Sequence, residues 1–216
     1  MRAAMDLRRL YDATSLRIAY LRSLLGSMSV LPPRHQSIQL AYVAIELDNL
    51  IIGSLRAFTI STMRKARTVN GKSITVNTSV QSEQEIGAYV LSILNVVKFK
   101  KLKHPLRIVR TDEPTIRDPK EIEKVLAACG ASNLPSLQNA LSINSRIFRD
   151  VKFVRHFYAH RGADTFAKAA SHAASMGILN VKHPDEILRY VAPGRPLPVI
   201  DEWLVDAELF FGLLME

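Results

Sequence analysis

From about Arg34 to Arg67 apolar residues recur on most faces of what their spacing predicts to be a single helix of about 30 residues. A helix that is apolar almost all round has to be surrounded by other elements, and here it reads as the central helix of an all-α bundle. The most apolar part, 38–60, is interrupted by Glu46, Asp48 and Arg56, which argues for a protein core over a membrane span. Its polar positions Glu46, Asn49, Gly53 and Arg56 fall three, four and three apart and share one face. That face is either the wet side of the helix or, through Glu46 and Asn49, the lining of a cleft.

The remaining segments punctuate themselves with short-range signals. Leu7, Leu10, Tyr11, Ile18, Leu21, Leu24 and Leu25 have helical spacing, and Leu31-Pro32-Pro33 ends that segment. The helix of residues 1–31 is either part of the bundle or an extension from it. Thr68–Val80 carries the turn dipeptide Asn70-Gly71 and is either a small hairpin across 69–76 or a mobile loop. Ser82, with Glu85 three residues on, opens a helix expected to reach Phe99. Asp118-Pro119 starts another that Gly130 stops. Pro135 or Ser136 opens a helix expected to run into Phe148, and a further helix spans about Asp150 to Gly162. Helices over 164–176, after His183-Pro184 and over 199–214 complete the chain. The expectation is a single all-α domain over 1–216, a helical bundle of about six to eight helices.

Composition limits the chemistry. With 48% hydrophobic and 23% charged residues the chain is an ordinary globular one. Met1–Arg9 lacks the apolar run of a signal peptide, so the expected location is cytoplasmic. The single cysteine, Cys129, excludes an internal disulfide framework and a cysteine-based zinc site, and reads as a small buried hydrophobe. No Walker-type loop, Gly-x-Gly-x-x-Gly or Gly-x-Ser-x-Gly occurs. The net charge of +9 is uneven: residues 1–110 carry 17 basic and 6 acidic groups, residues 111–216 carry 12 and 14. Such asymmetry favours a polyanionic partner. Lys98, Lys100, Lys101, Lys103, Arg107 and Arg110, with His104 among them, form a run with no acid that suits a phosphate backbone.

The stretch Val151-Lys-Phe-Val-Arg-His-Phe-Tyr-Ala-His-Arg-Gly162 carries the sharpest candidate site. Arg155 is a permanent cation with a planar fork of donors for phosphate, and His160 moves a proton near neutral pH. Arg155-His-Phe-Tyr-Ala-His160 resembles the Arg-x(4–6)-His signature of the HEPN superfamily, small helical proteins that include metal-independent ribonucleases. Members commonly read Arg-Asn-x-x-Ala-His, so His156 stands where Asn is usual. The wider form of the signature, with six intervening residues, also occurs as Arg149/His156.

The resemblance implies a homodimer in which two motifs face each other, since five helical residues place Arg155 and His160 roughly 140° apart. It further implies RNA as substrate, cut by its own 2′-hydroxyl without a cofactor. Arg155 would grip the phosphate and His160 act as acid or base, with His156 as secondary catalytic candidate. Arg161 and Tyr158 are candidates for contacting RNA, Tyr158 being suited equally to stacking a base, packing or donating a hydrogen bond. The relatives work in toxin–antitoxin or antiphage systems, where an antitoxin or defence partner protein is expected. His156 and His160 also share a face as metal ligands do, but no third ligand is evident. Two alternatives stay open: a non-catalytic RNA-binding or partner-binding module of the same fold, and a structural role in which Arg155 pairs with an acid such as Asp150 or Asp164.

Overall fold

The structure, a computed structural model, describes residues 3–102 and 108–216. Those residues form ten α-helices and no strand: α1 (Leu7–Ser27), α2 (Pro33–Met63), α3 (Glu83–Leu94), α4 (Val96–Lys100), α5 (Pro119–Ala128), α6 (Leu134–Ser142), α7 (Ile147–His160), α8 (Ala163–Ser175), α9 (Pro184–Arg189) and α10 (Val199–Met215). A 3-10 turn at Met28–Val30 links α1 to α2. The all-α expectation holds.

The chain divides into two compact units. One comprises Met1–Thr14, Ile52–Asn144 and Phe210–Glu216, and the other Ser15–Ile51 and Ser145–Leu209. Helices α1, α2 and α10 supply residues to each.

In the first unit local signals set the boundaries. The Ser82 hydroxyl accepts from the Glu85 amide at 3.2 Å, while the Glu85 carboxylate accepts from the Ser82 and Gln81 amides, both at 3.0 Å. This reciprocal box starts α3. The same bonds hold the Glu85 carboxyl below its ordinary range, the Ser82 backbone contributing most. The expected run to Phe99 does not occur. Asn95 leaves helical geometry at φ −147° and its side chain accepts from the Lys98 amide at 2.9 Å, capping a new helix, α4. Asp118 caps α5, with Pro119 in its first turn, and Gly130 turns the chain at φ +59°. A Cβ at Gly130 would stand 2.5 Å from the Asn77 side-chain nitrogen.

Helix α2 stops at Met63, before Lys65 turns left-handed at φ +57°. The segment read as either a small hairpin or a loop closes with one antiparallel bridge, Arg67 to Ser73, around Gly71. Beyond that bridge the neighbouring backbone bonds go elsewhere, Val69 to Met215 and Asn77 to Cys129, so no ladder extends. The core of this unit buries Leu55, Phe58, Met63, Ile86, Leu91, Ile122, Leu126, Phe210 and Phe211. Cys129 is buried at the end of α5.

The second unit buries Ile18, Leu21, Leu40, Leu47, Val151, Val154, Ala169, Leu188 and Leu204. By length and composition α2 could cross a membrane, but 56% of its apolar window is buried within the protein. The helix expected to continue through Ser145 ends at Ser142, where Asn144 turns left-handed at φ +52°. Helix α7 then begins at Ile147 and packs on α8.

Candidate functional site

Helix α7 has two contrasting sides. Ile147, Asp150, Val151, Val154 and Tyr158, spaced three, one, three and four apart, are its buried residues. His156 and His160, one turn apart, are exposed, and their rings meet edge to face with centroids 4.6 Å apart. Arg161 follows in the left-handed region at φ +47°, its amide closing the helix on the Phe157 carbonyl, and its side chain is exposed.

Arg155 lies on the flank between these sides. Its Nε is 3.6 Å from Oδ2 of Asp48, whose side chain is 1% exposed, against 29% for Arg155. The separation is that of an ion pair, too long for a hydrogen bond. Accordingly the buried Nε of Arg155 has no hydrogen-bond partner. Within one chain Arg155 turns towards Asp48 and His160 towards His156, so the two motif residues are not brought together. The acid beside Arg155 is neither Asp150 nor Asp164.

Asp150 anchors a different cluster. Buried to 1% exposure, its Oδ1 accepts from Arg149 Nε at 3.1 Å and meets His172 Nε2 at 2.8 Å. Arg146 Nε approaches Oδ2 at 3.3 Å. The His172 ring stacks on Phe153 with centroids 4.1 Å apart. An imidazole held at one nitrogen by a buried carboxylate has its orientation and tautomer set, an arrangement found in many catalytic and ligand sites. Sequence spacing missed it, because Asp150 and His172 are 22 residues apart on separate helices. The only local hint was a carboxylate placed among the apolar residues of α7.

Tyr158, a candidate for contacting RNA or for packing and donating a hydrogen bond, does the latter: it is buried at 6% exposure and its hydroxyl donates to Asp185 Oδ1 at 2.5 Å. Burial first, and then the Asp185 carboxylate, push the phenol well above the usual tyrosine range. It is a packing residue that ties α7 to the start of α9.

The polar face of α2 is also spoken for. Glu46 pairs with Arg17, which also reaches the Tyr42 hydroxyl at 3.2 Å, and the exposed Asn49 donates to Glu46 at 3.3 Å. Arg56 pairs with Glu113 at 2.6 Å and Glu83 at 3.4 Å. These are ion pairs and a hydrogen bond along a helix side, and they engage the Glu46 carboxylate and the Asn49 amide. In the basic run, Lys98 is tied by its Nζ to the Asp112 carbonyl at 2.7 Å, whereas Lys100, Lys101 and Arg110 are exposed. Lys103, His104 and Arg107 lie outside the described residues.

Among the described residues no group of three His, Cys, Asp or Glu is placed to hold a metal ion. No family model matches this chain, and none of the curated proteins or solved structures compared with it matches either.

Proposed function

We propose that this chain is a HEPN-like endoribonuclease that cuts RNA by attack of the 2′-hydroxyl and works as a homodimer. The observation that carries the reading is the exposed His156–His160 pair at the end of α7, on the same helix as an arginine whose Nε makes no hydrogen bond. Transesterification needs one group to take the 2′-hydroxyl proton and another to supply a proton to the leaving 5′-oxygen. Two adjacent imidazoles can divide those tasks, and a guanidinium stabilises the charge that develops on the phosphate oxygens. Since Arg155 and His160 diverge on one helix, the second copy supplies the complementary half. A cytoplasmic toxin or antiphage role fits such an activity.

The test is purified protein incubated with end-labelled RNA in excess chelator, beside His160→Ala and Arg155→Lys. Lysine keeps the charge opposite Asp48 while removing the planar fork. Cleavage by the wild type alone, leaving cyclic phosphate ends, supports the proposal. Intact RNA in every lane sinks it.

The Asp48–Arg155 pair favours a second reading, a non-catalytic RNA-binding or partner-binding module. There Arg155 serves the fold, and RNA binds in a salt-sensitive way without being cut.

A further inference from the structure

In the first unit, Ala3–Asp6, Arg9, Leu10, Ala13, Lys65, Arg67 and Ser73 line a concavity of about 980 Å³. Three cations border it, Arg9, Lys65 and Arg67, and all three are exposed. Among the described residues none of the three stands within ion-pair distance of a carboxylate, a state they share with Arg110 and Arg161. Arg17, Arg22, Arg56, Arg64, Arg146, Arg149, Arg155 and Arg195 all stand within ion-pair distance of an acid. The one acid on the rim, Asp6, accepts from the Arg8 amide at 2.8 Å at the start of α1.

The scaffold under these cations is laced by backbone bonds. The Arg67 amide donates to Met5 at 2.9 Å, the Leu7 amide to Arg67 at 2.8 Å, and the Ile74 amide to Ala66 at 2.9 Å. Thr68 donates to Lys72 at 2.8 Å. Three separate stretches of chain thus meet at Arg67, fixing where its side chain and that of Lys65 begin. Like charges converging on one rim repel each other, and an anion in the concavity relieves that repulsion. The two guanidiniums present forks suited to phosphate oxygens. The volume is at the upper end for a site that encloses a drug-sized ligand, so it accommodates a run of sugar–phosphate backbone better than one phosphate.

We infer that this concavity is a docking site for the phosphate backbone of single-stranded RNA, with Arg9, Lys65 and Arg67 as its contacts. That it takes RNA rests on the proposed function. Its residues, on α1 and the 65–73 turn, are other than those of the α7 motif and of the 98–110 run. No pairing with bases is required, so the site would hold strands regardless of sequence.

The test is fluorescence anisotropy of a labelled single-stranded RNA on the His160→Ala protein, titrated at salt from about 50 to about 200 mM. Each cation neutralising a phosphate of a single strand contributes about 0.7 to the slope of log affinity against log salt. The triple variant Arg9→Gln, Lys65→Gln, Arg67→Gln should therefore lower the slope by about 2. Arg195→Gln, an exposed arginine of the other unit, should leave it unchanged. An unaltered slope in the triple variant overturns the site. So does displacement of the RNA by millimolar inorganic phosphate irrespective of strand length, which would make this a site for a free anion. Because binding is read and not cutting, the loss of slope in a chain that never cleaves RNA would leave this site standing and the catalytic reading fallen. Cleavage with an unaltered slope would do the reverse.

Discussion

Arg155 of α7 stands 3.6 Å from Asp48, a carboxylate buried in the middle of α2 and 107 residues away in sequence. The pair makes one residue answer to two demands. Arg155 compensates a buried charge, and the same guanidinium is the candidate for gripping a phosphate. Removing one member of a buried pair strands the other, which typically costs about 3–5 kcal/mol. As Arg155 is partly exposed, Asp48→Ala should fall at or below the lower end, about 3 kcal/mol. Urea denaturation measures it, and a loss under 1 kcal/mol would mean that the pair contributes little net stability, water solvating the partly exposed Arg155 once the carboxylate is gone.

His160→Ala should separate chemistry from stability. The ring is exposed and sits at a helix end, so the variant should unfold within about 0.5 kcal/mol of the wild type. Loss of a general acid or base should lower cleavage by roughly 10²- to 10⁴-fold. His156→Ala should have the smaller effect on cleavage if His160 is the principal group.

Tyr158→Phe should weaken the fold by about 1.5–3 kcal/mol, the usual range for a hydrogen bond to a charged group. RNA binding should be unaffected, because the hydroxyl faces Asp185 and not solvent. Since the folded phenol is raised above its unfolded value, its contribution is fully present below the unfolded value near pH 10 and is lost as pH rises beyond it. Alkaline unfolding followed by circular dichroism should thus show a shallower loss for the phenylalanine variant.

The Ser82–Glu85 box gives the opposite sign. Glu85 has its carboxyl lowered by the Ser82 and Gln81 amides, so its contribution is present above the unfolded carboxylate range and is lost as pH falls through the folded value. Glu85→Gln should therefore flatten the acid limb of the stability curve. Ser82→Ala should destabilise by about 1 kcal/mol at neutral pH.

Asp150 and His172 should be energetically coupled. Asp150→Asn and His172→Ala are each expected to destabilise, and their double mutant should fall short of the sum by roughly 0.5–3 kcal/mol. Additive losses in chemical denaturation would show that the 2.8 Å contact contributes nothing of its own.

What was legible in the sequence was what local chemistry dictates. Apolar spacing marked α1 and α2, a capping box marked the start of α3, and a cap, a proline and a closing glycine marked α5, because those signals act within one helical turn. Asn95 was the informative exception. The same residue type that caps one helix can break another, and only the neighbouring packing selects between the two. The motif on α7 was likewise visible as a hexapeptide.

The fate of each motif side chain was decided by tertiary contacts. Tyr158 and His160 are two residues apart and share a motif, yet one is buried against Asp185 and the other faces water, since successive helical positions point about 100° apart. Which of those directions is inside depends on where α8 and α9 lie. Asp48 stands off the stripe of Glu46, Asn49 and Arg56, so helical spacing set it apart, but nothing local in the sequence named Arg155 as its partner. The chain alone thus marked where most helices begin, through contacts of a few residues, while the ends of α3 at Leu94 and α6 at Ser142 fell short of what spacing predicted. Which charges are spent inside the fold, and which remain for a ligand, was decided by burial, a property that no short stretch of sequence carries.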